Sequence, residues 1–315
     1  QRLLQCASLF KASSKSIMPF QQKQAVRAFH KNNCQYNNKY FITTPIYYVN
    51  GKPHIGHLYS SLIADVMARW NSVICRTQDA TAPSPCTLLF STGTDEHGNK
   101  VAKAAQAANQ STPEYCAQIS QSFRDCFTAY NIAFTDYIRT TEERHKQLVQ
   151  QVWNKLYANG DIYVGSYEGW YCQSDEAFVI EVKKNEETGQ VLSAESGQPC
   201  EWLVERNYKF KLSKYREPLI QWLQANPQVI EPRERYNEIM TNLLNNQLDD
   251  LSVSRSTERV KWGIPVPNDD TQSIYVWLDA LSNYLTVSKS LEAKQSQKIW
   301  PPDCQVIGKD IIKFH

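Results

Sequence analysis

The stretch of sequence that decides the fold runs from Tyr40 to His57 and reads YFITTPIYYVNGKPHIGH. Its first five residues are aromatic or β-branched, which predicts a short buried strand. Turn-forming residues follow between Pro45 and Pro53, and the tetrapeptide HIGH at residues 54–57 comes directly after them. A strand, a turn and the start of a helix in this order indicate the first unit of an α/β domain.

The residues after this tetrapeptide repeat the pattern. An amphipathic helix is predicted from four apolar residues spaced four apart, namely Leu58, Leu62, Val66 and Trp70. The segment 71–86 has little periodicity and is interpreted as a surface insertion. A second buried-type strand is predicted at 87–91, and an alanine-rich helix at 100–108.

The middle of the chain has a different texture. A helix predicted at 142–157 stops at Asn159-Gly160, and aromatic and β-branched runs then indicate strands between 162 and 204. Helical texture returns from 215 to 248, and strands are predicted again at 274–278 and 305–307. The predicted fold is therefore α/β, with a Rossmann-like doubly wound parallel sheet interrupted by a β-rich insertion. We place a leader at 1–38, the two halves of the sheet domain at 39–160 and 249–315, and the insertion at 161–248.

Bulk composition excludes several classes of protein. No apolar run approaches the length of a bilayer span, so membrane insertion is not expected. The net charge of +2 does not by itself indicate a nucleic-acid partner. Nine cysteines are scattered without close C-x-x-C pairs, which favours a reducing compartment over a disulfide framework.

The leader carries the clearest charge asymmetry, because the first acidic residue of the chain is Asp65. Seven Lys and Arg residues precede Tyr40, and Leu3, Phe10 and Ile17 recur at a seven-residue step. An acid-free, basic, Ser-containing amphipathic segment is typical of an organellar transit peptide. A disordered basic tail that touches RNA is the alternative.

The HIGH tetrapeptide is the first candidate for chemistry. In a parallel sheet, the turn after a strand lies at the ligand crevice, and a helix N-terminus there favours phosphate. His54 and His57 add imidazole donors, and Gly56 leaves room for a nucleotide against the backbone. The structural alternative is that one histidine caps the turn and the other packs.

The tetrapeptide resembles the HIGH signature of class I aminoacyl-tRNA synthetases, and further motifs resemble the methionine-specific members. In the order of that family, they are TTPIYYVNG at 43–51, STGTDEHG at 91–98, IRTTEERH at 138–145, DLSVSR at 250–255, YVWLDAL at 275–281 and IGKD at 307–310. The resemblance covers about Lys39 to His315 and is weakest at 73–86 and 181–200. It implies methionine activation with ATP and Mg²⁺, followed by transfer to tRNA(Met).

Site residues are carried over where these motifs match. The resemblance implies that His54 and His57 are catalytic and contact ATP phosphates, with further ATP contacts from Gly56, Gly308 and Asp310. It implies a methionine pocket formed by Ile46, Tyr48, Asp95, Trp277, Ala280, Leu281, Tyr284 and His315. Such a pocket suits the substrate, because aromatic faces attract a thioether and a carboxylate pairs with an ammonium group. Core packing is the alternative for Trp277 and Tyr284.

Arg255 has a family counterpart near the active site, which suggests a supporting role beside Asp95; a solvent-exposed arginine is the alternative. The zinc knuckles of the family's insertion are reduced here to Cys172 and Cys200, with Asp175 where a second cysteine would stand. Two thiolates cannot complete a tetrahedral site, so zinc is not expected.

No match to the family's KMSKS loop or to its anticodon-binding domain occurs up to His315. We therefore expect a fragment of a mitochondrial-type enzyme of the matrix that is inactive by itself. Three alternatives remain: activation of another amino acid, a nucleotidyltransferase with a similar histidine turn, and a non-catalytic binding module.

Overall fold

A computed structural model describes residues 39–78, 87–175, 177–185, 188–295 and 298–315. The predicted leader lies outside the described residues. The helices are α1 Ile55–Gln78, α2 Asn99–Ala107, α3 Thr112–Ala129, α4 Glu143–Ala158, α5 Arg216–Ala225, α6 Arg233–Asn245, α7 Val276–Leu281 and α8 Asn283–Gln295, with 3-10 turns at Leu212–Tyr215 and Ile312–Phe314. The strands are β1 Lys39–Tyr48, β2 Thr87–Asp95, β3 Asp136–Arg139, β4 Ile162–Cys172, β5 Ala177–Val179, β6 Val182–Lys184, β7 Val191–Ser193, β8 Cys200–Phe210, β9 Leu251–Ser252, β10 Ser254–Ser256, β11 Pro265–Val266, β12 Asp269–Ile274 and β13 Cys304–Gln305.

The central sheet has the strand order β13-β1-β2-β3, and all of its pairings are parallel. Its two faces are both buried. Ile42 and Phe90 pack on one face with residues of α1, α2 and α3, whereas Phe41 and Leu89 pack on the other with residues of α8. Helices on both faces of a parallel sheet confirm the predicted doubly wound α/β fold.

The first strand is longer than its aromatic run predicts. It continues past Pro45 to Tyr48, with a register shift against β2 between Thr43 and Ile46. Because proline lacks an amide hydrogen, an irregularity at this position lets the strand pass it and resume pairing. Ile46 and Tyr48 consequently lie at the carboxyl end of the sheet.

Helix α1 has the predicted apolar stripe, but most of that stripe does not face the core. Leu58 is buried, whereas Leu62, Val66 and Trp70 are each 45–58% exposed. Small residues such as Ala64 and Ala68 form the buried face instead. The helix also extends to Gln78, so the interpretation of residues 71–78 as an insertion was wrong; residues 79–86 lie outside the described residues.

One other local prediction is wrong, and one helix was not predicted. Strand β12 ends at Ile274, and residues 276–278 open a helix rather than extend a strand. The β-branched Val276 and the aromatic Trp277 suit a strand locally, but packing outweighs such a preference. Helix α3 was not predicted; its six buried side chains include Phe123 and Phe127.

The segment predicted to be an insertion contains a long antiparallel ribbon of β4 and β8, paired from Ile162–Phe210 to Cys172–Cys200. Strands β5 and β9 extend this sheet on either side. Helices α5 and α6 pack together through a small apolar cluster that includes Leu223 and Met240. None of the described helices is both long and apolar enough to cross a membrane.

Candidate active site

The predicted site residues of the first two strands meet at the carboxyl edge of the central sheet. Tyr48 and Asp95 are register partners on β1 and β2, and the Val49 amide donates to the Asp95 carbonyl at 3.2 Å. The Asp95 residue is buried, with 9% of its surface exposed. The register of β1 and β2 therefore places Tyr48 and Asp95 side by side at the edge where parallel sheets bind ligands.

The HIGH tetrapeptide lies at the beginning of α1, as predicted. The His54 and His57 rings stack with their centroids 3.7 Å apart. The Gly56 amide donates to His54 Nδ1 at 3.1 Å, and the His54 amide donates to His57 Nδ1 at 3.2 Å. An imidazole that accepts at Nδ1 carries its proton on Nε2, so both rings present an Nε2–H donor.

Gly56 has a steric role in this arrangement. A Cβ atom on this residue would lie 2.9 Å from Cε1 of His54, closer than real side chains approach. Any other residue would therefore displace the His54 ring. His54 therefore caps the first turn of α1, since its Nδ1 accepts from the second amide of the helix, and His57 is half-buried; both rings keep an Nε2–H donor in addition to these contacts.

His57 is held by aromatic neighbours that the sequence analysis did not single out. Its ring centroid lies 5.0 Å from those of Tyr47 and Phe123. Burial against them lowers the pKa of His57 to about 4, and the neighbouring His54 acts in the same direction. His57 is thus neutral at neutral pH and acts as a hydrogen-bond donor rather than as a cation.

Helices α7 and α8 bring together the later part of the predicted pocket. Trp277, Ala280 and Leu281 lie on α7, and Tyr284 lies in the first turn of α8. The Tyr284 hydroxyl and His315 Nε2 are 2.8 Å apart, and His315 Nδ1 lies 3.0 Å from the Ile311 carbonyl. Since a carbonyl only accepts, His315 Nδ1 donates to it and Nε2 accepts from the tyrosine.

Trp277 stacks on Phe314, with centroids 4.2 Å apart and an interplanar angle of 21°. The sequence analysis missed Phe314, although it directly precedes His315. These two aromatic contacts join the α7–α8 corner to the segment after β13. Ile46, in contrast, packs partly buried against the cluster of Phe41 and Leu89.

Gly308 and Asp310 lie in the turn that follows β13, where the Ile311 amide donates to the Gly308 carbonyl at 3.1 Å. The Asp310 side chain is 81% exposed and pairs with its neighbour Lys309. The expected adenosine contacts thus lie on an open turn at the same edge of the sheet as Tyr48.

Arg255 is not the exposed residue that its charge would suggest. Only 5% of its surface is exposed, and its guanidinium lies 4.1 Å from the Tyr275 ring centroid. Nη1 donates to Ser252 Oγ at 2.8 Å and to the Ser254 carbonyl at 2.7 Å. Together with His97, Arg255 lines a small cavity. The partnership of Arg255 with Asp95 stays a prediction.

Two buried ionic groups beside the site were missed by the sequence analysis. Glu96 is fully buried and accepts from Arg139 Nε at 2.7 Å and Nη2 at 2.9 Å. Asp279 accepts on its two oxygens from His97 Nδ1 at 2.6 Å and His145 Nε2 at 2.7 Å. All five residues belong to motifs quoted above, and that is the only signal that could have found them.

The cysteines of the insertion face each other across the ribbon, since Cys172 and Cys200 are register partners on β4 and β8. Ser196 donates to Asp175 beside them. Nowhere in the described ranges do three His, Cys, Asp or Glu side chains converge as metal ligands. This set does not fit a tetrahedral zinc ion, and a zinc-free protein stays a prediction.

Comparison with known proteins adds independent evidence at this point. The family model of class I tRNA synthetases (M) matches residues 40–315. Human mitochondrial methionine–tRNA ligase is 48% identical over 280 residues, which cover 87% of this chain and 46% of that protein. The methionine–tRNA ligase of Rickettsia bellii is also 48% identical over 280 residues, covering 89% of this chain and 52% of that protein.

A solved structure agrees with these relatives. Methionyl-tRNA synthetase of Mycobacterium tuberculosis, in complex with methionyl-adenylate, superimposes with a TM-score of 0.77 at 38% identity; the match covers 88% of this chain and 52% of that one. The chain spans about half the length of the curated relatives it matches. The ordered motifs, the doubly wound sheet and the family match over 40–315 lead to one conclusion: this chain belongs to the class I tRNA synthetases of the M group.

Proposed function

We propose that this chain supplies the amino-acid-activating site of a methionine–tRNA ligase. The observation that carries the proposal is the position of two kinds of group at one edge of the sheet. The imidazole donors His54 and His57 lie at the start of α1, and an aromatic wall is built by Trp277 on Phe314 and Tyr284 on His315. The names of the relatives support this assignment, and one of them was solved with methionyl-adenylate.

The nucleotide end of the site would bind ATP. The Nε2–H groups of His54 and His57 would donate to phosphate oxygens at a helix N-terminus, where backbone amides and the helix dipole add positive potential. Gly56, Gly308 and Asp310 would complete the contacts with ATP. Imidazole N–H donors suit this role because they stabilise the negative charge that develops on phosphate in the transition state. A permanent cation would also bind the phosphate tightly in the ground state.

The amino-acid end would bind methionine. Trp277, Tyr284 and His315, with Ile46, Tyr48, Ala280 and Leu281, would surround the thioether, for which aromatic faces are favourable partners. The carboxylate of Asp95 would accept from the substrate ammonium group. The buried guanidinium of Arg255 would support Asp95 by supplying positive charge when the pocket holds no ammonium group.

The reaction then needs no covalent enzyme intermediate. A carboxylate oxygen of methionine attacks the α-phosphorus of ATP, and the bond from that phosphorus to the bridging oxygen of pyrophosphate breaks. In the second step a terminal ribose hydroxyl of tRNA(Met) attacks the methionyl carbonyl carbon, and AMP leaves with the bonding electron pair. The chain contributes positioning and charge stabilisation. Mg²⁺ would enter with ATP, bound chiefly by its phosphates.

The domain boundaries and the cellular location form part of the same proposal. Residues 39–160 and 249–315 would be two halves of one catalytic domain around an insertion at 161–248. The mitochondrial relatives and the acid-free leader support import into the mitochondrial matrix. N-terminal sequencing of the mature protein should find the leader removed before Lys39; an intact leader on a cytosolic protein would contradict import.

Methionine-dependent exchange of labelled pyrophosphate into ATP tests the activity on the complete gene product. We expect exchange with methionine and none with leucine or isoleucine. Exchange with another amino acid would show a different synthetase, and pyrophosphate chemistry with a mononucleotide in place of an amino acid would show a nucleotidyltransferase. No exchange with any substrate would indicate a non-catalytic binding module.

A further inference from the structure

Asp279 is a buried carboxylate that ties three distant parts of the chain together. It lies on α7 between Trp277 and Ala280, and only 1% of it is exposed. His97 follows β2 and is 182 residues away in sequence; His145 lies on α4 and is 134 residues away. Both histidines are about as deeply buried as Asp279, at 3% and 0% exposure.

The three side chains satisfy one another. Each Asp279 oxygen accepts one ring N–H, at 2.6 Å from His97 Nδ1 and 2.7 Å from His145 Nε2. An unpaired carboxylate at this depth would be costly, so the two donors are a condition for its burial. Burial acts to raise the pKa of Asp279, but the charges and hydrogen bonds of His97 and His145 outweigh it, so the pKa is lowered.

The same network reaches α8. His145 Nδ1 and Thr286 Oγ1 are 2.9 Å apart, and Thr286 Oγ1 lies 3.1 Å from the Ser282 carbonyl, so the single hydroxyl proton serves one of these two contacts at a time. Thr286 lies on α8, on the same helix as Tyr284, whose hydroxyl bonds to His315. Both helices that carry the aromatic wall are therefore bonded, through His97 and His145, to the end of β2 and the start of α4.

Helix α7 depends on this arrangement more than a longer helix would. It has six residues, its N-cap Tyr275 makes no side-chain capping bond, and isolated helices of this length are unstable. Its position must therefore come from tertiary contacts. Of its six side chains only Asp279 and Ala280 are buried, and Asp279 is the one that hydrogen-bonds to other elements, namely the end of β2 and α4.

We propose that Asp279, held between His97 and His145, is a positioning residue that sets the place of α7 and thereby the size of the methionine pocket. This inference rests on the proposed methionine activation. Asp279 touches no substrate in this scheme. It acts through Trp277, Ala280 and Leu281, which lie within two residues of it on the same helix.

The test is Asp279→Asn in the complete protein, which keeps the shape but removes the charge shared by two donors. Helix α7 would then lose a charge-assisted hydrogen bond that holds it in place. The methionine pocket should loosen, and KM for methionine should rise roughly ten-fold or more. KM for ATP should stay within about two-fold, because its contacts lie on α1 and after β13. The parent enzyme should prefer methionine to ethionine, which is longer by one methylene. In Asp279→Asn this preference, measured as the ratio of the two kcat/KM values, should fall about three-fold because a looser pocket admits the longer side chain.

Asp161→Asn is the matched control. Asp161 is also a buried carboxylate, with 3% exposure, and its partner Lys214 belongs to the insertion. Asp161→Asn should leave KM for methionine, KM for ATP and the preference for methionine over ethionine unchanged. His97→Ala and His145→Ala remove one donor each and should both shift the methionine KM in the same direction as Asp279→Asn.

The outcomes separate the two proposals. A parent enzyme without methionine-dependent exchange would overturn the proposed function. An active parent with an unchanged methionine KM and ethionine ratio in folded Asp279→Asn would overturn the positioning role alone. Equal losses for ATP and methionine, or loss of the folded state in all three variants, would make the network a folding element and would also overturn it.

Discussion

Two pairs of histidines lie near the carboxyl edge of the central sheet but have opposite environments. His54 and His57 follow β1; His54 is exposed, and each Nδ1 accepts from a backbone amide. His97 follows β2 and joins His145 on one buried carboxylate. In the first pair the described hydrogen bonds use Nδ1 and join neighbouring residues of one turn, whereas in the second they join distant protein elements.

The difference shows that a histidine side chain can serve either to bind a ligand or to position elements of the protein. An imidazole with an open nitrogen at a helix N-terminus is available to phosphate. An imidazole bonded to a buried carboxylate is oriented by it and orients the carboxylate in turn. Changes in the two pairs should consequently differ in kind as well as in size.

The largest effect is expected at His54 and His57. His54→Ala and His57→Ala should each lower kcat of pyrophosphate exchange roughly 100- to 1000-fold, the usual cost of removing one preorganised donor from a transition state. KM for methionine should change little. Ser60→Ala, one turn further along α1, is the control with near-normal activity. Losses of less than about three-fold would remove the histidines from the chemistry.

Asp95 should give the next largest effect, and a different one. Asp95→Asn removes one charge-assisted hydrogen bond to the substrate ammonium, so methionine should bind roughly ten- to a hundred-fold more weakly while ATP affinity stays the same. Equilibrium binding of each ligand measures this, with circular dichroism to verify folding. Equal losses for both ligands would make Asp95 a structural residue.

The pH dependence of stability should distinguish the pairs further. His57 has a folded pKa of about 4 against 6.5 for the ordinary group, so the unfolded state binds the proton more readily. Its contribution is therefore complete above pH 6.5 and is lost as the pH falls toward 4. Because the ring is half-exposed, we expect only about 1 kcal/mol or less over this range.

Urea unfolding at about pH 5 and about pH 7, on either side of the ordinary histidine pKa, measures that contribution. His57→Gln should reduce the difference between the two midpoints, whereas His54→Gln is the matched exposed-site control. An unchanged pH dependence in His57→Gln would show that burial against Tyr47 and Phe123 does not set this pKa.

The last prediction concerns zinc content, for which we expect no bound metal. If the five histidines within the described residues serve binding and positioning, none of those five is available to complete a metal site with Cys172 and Cys200, which alone supply too few of the about four ligands that structural zinc needs. Elemental analysis of the purified protein should find no stoichiometric zinc. One zinc per chain would mean that Asp175 or a histidine has completed the site.

The order of strand, turn and helix was predictable because it depends on local patterns around residues 40–57. Spacing alone did not reveal which side of α1 faces the sheet: Leu62, Val66 and Trp70 are exposed, while Ala64 and Ala68 are buried. Small side chains let a helix approach a sheet closely, and this can outweigh a larger apolar stripe elsewhere on the helix.

The candidate site likewise has a part that the local sequence predicts and a part that it does not. His54, Gly56 and His57 were predictable because all three belong to one short turn. The bonds of Asp279 were not, since they cross 134 and 182 residues of sequence, and no local periodicity carries such information. The burial of Arg255 was likewise hidden, because a charged side chain gives no local sign of the aromatic ring that covers it.

The base of the β4–β8 ribbon has a further consequence for how this architecture can vary. Ile162 pairs with Phe210, and the Lys211 amide donates to the Asp161 carbonyl at 2.8 Å, so the chain leaves and returns at nearly one point. Loop-closure entropy rises only slowly with length once two ends are held together. We therefore expect that residues can be added or deleted at the far end of the ribbon without altering the spacing of the central sheet.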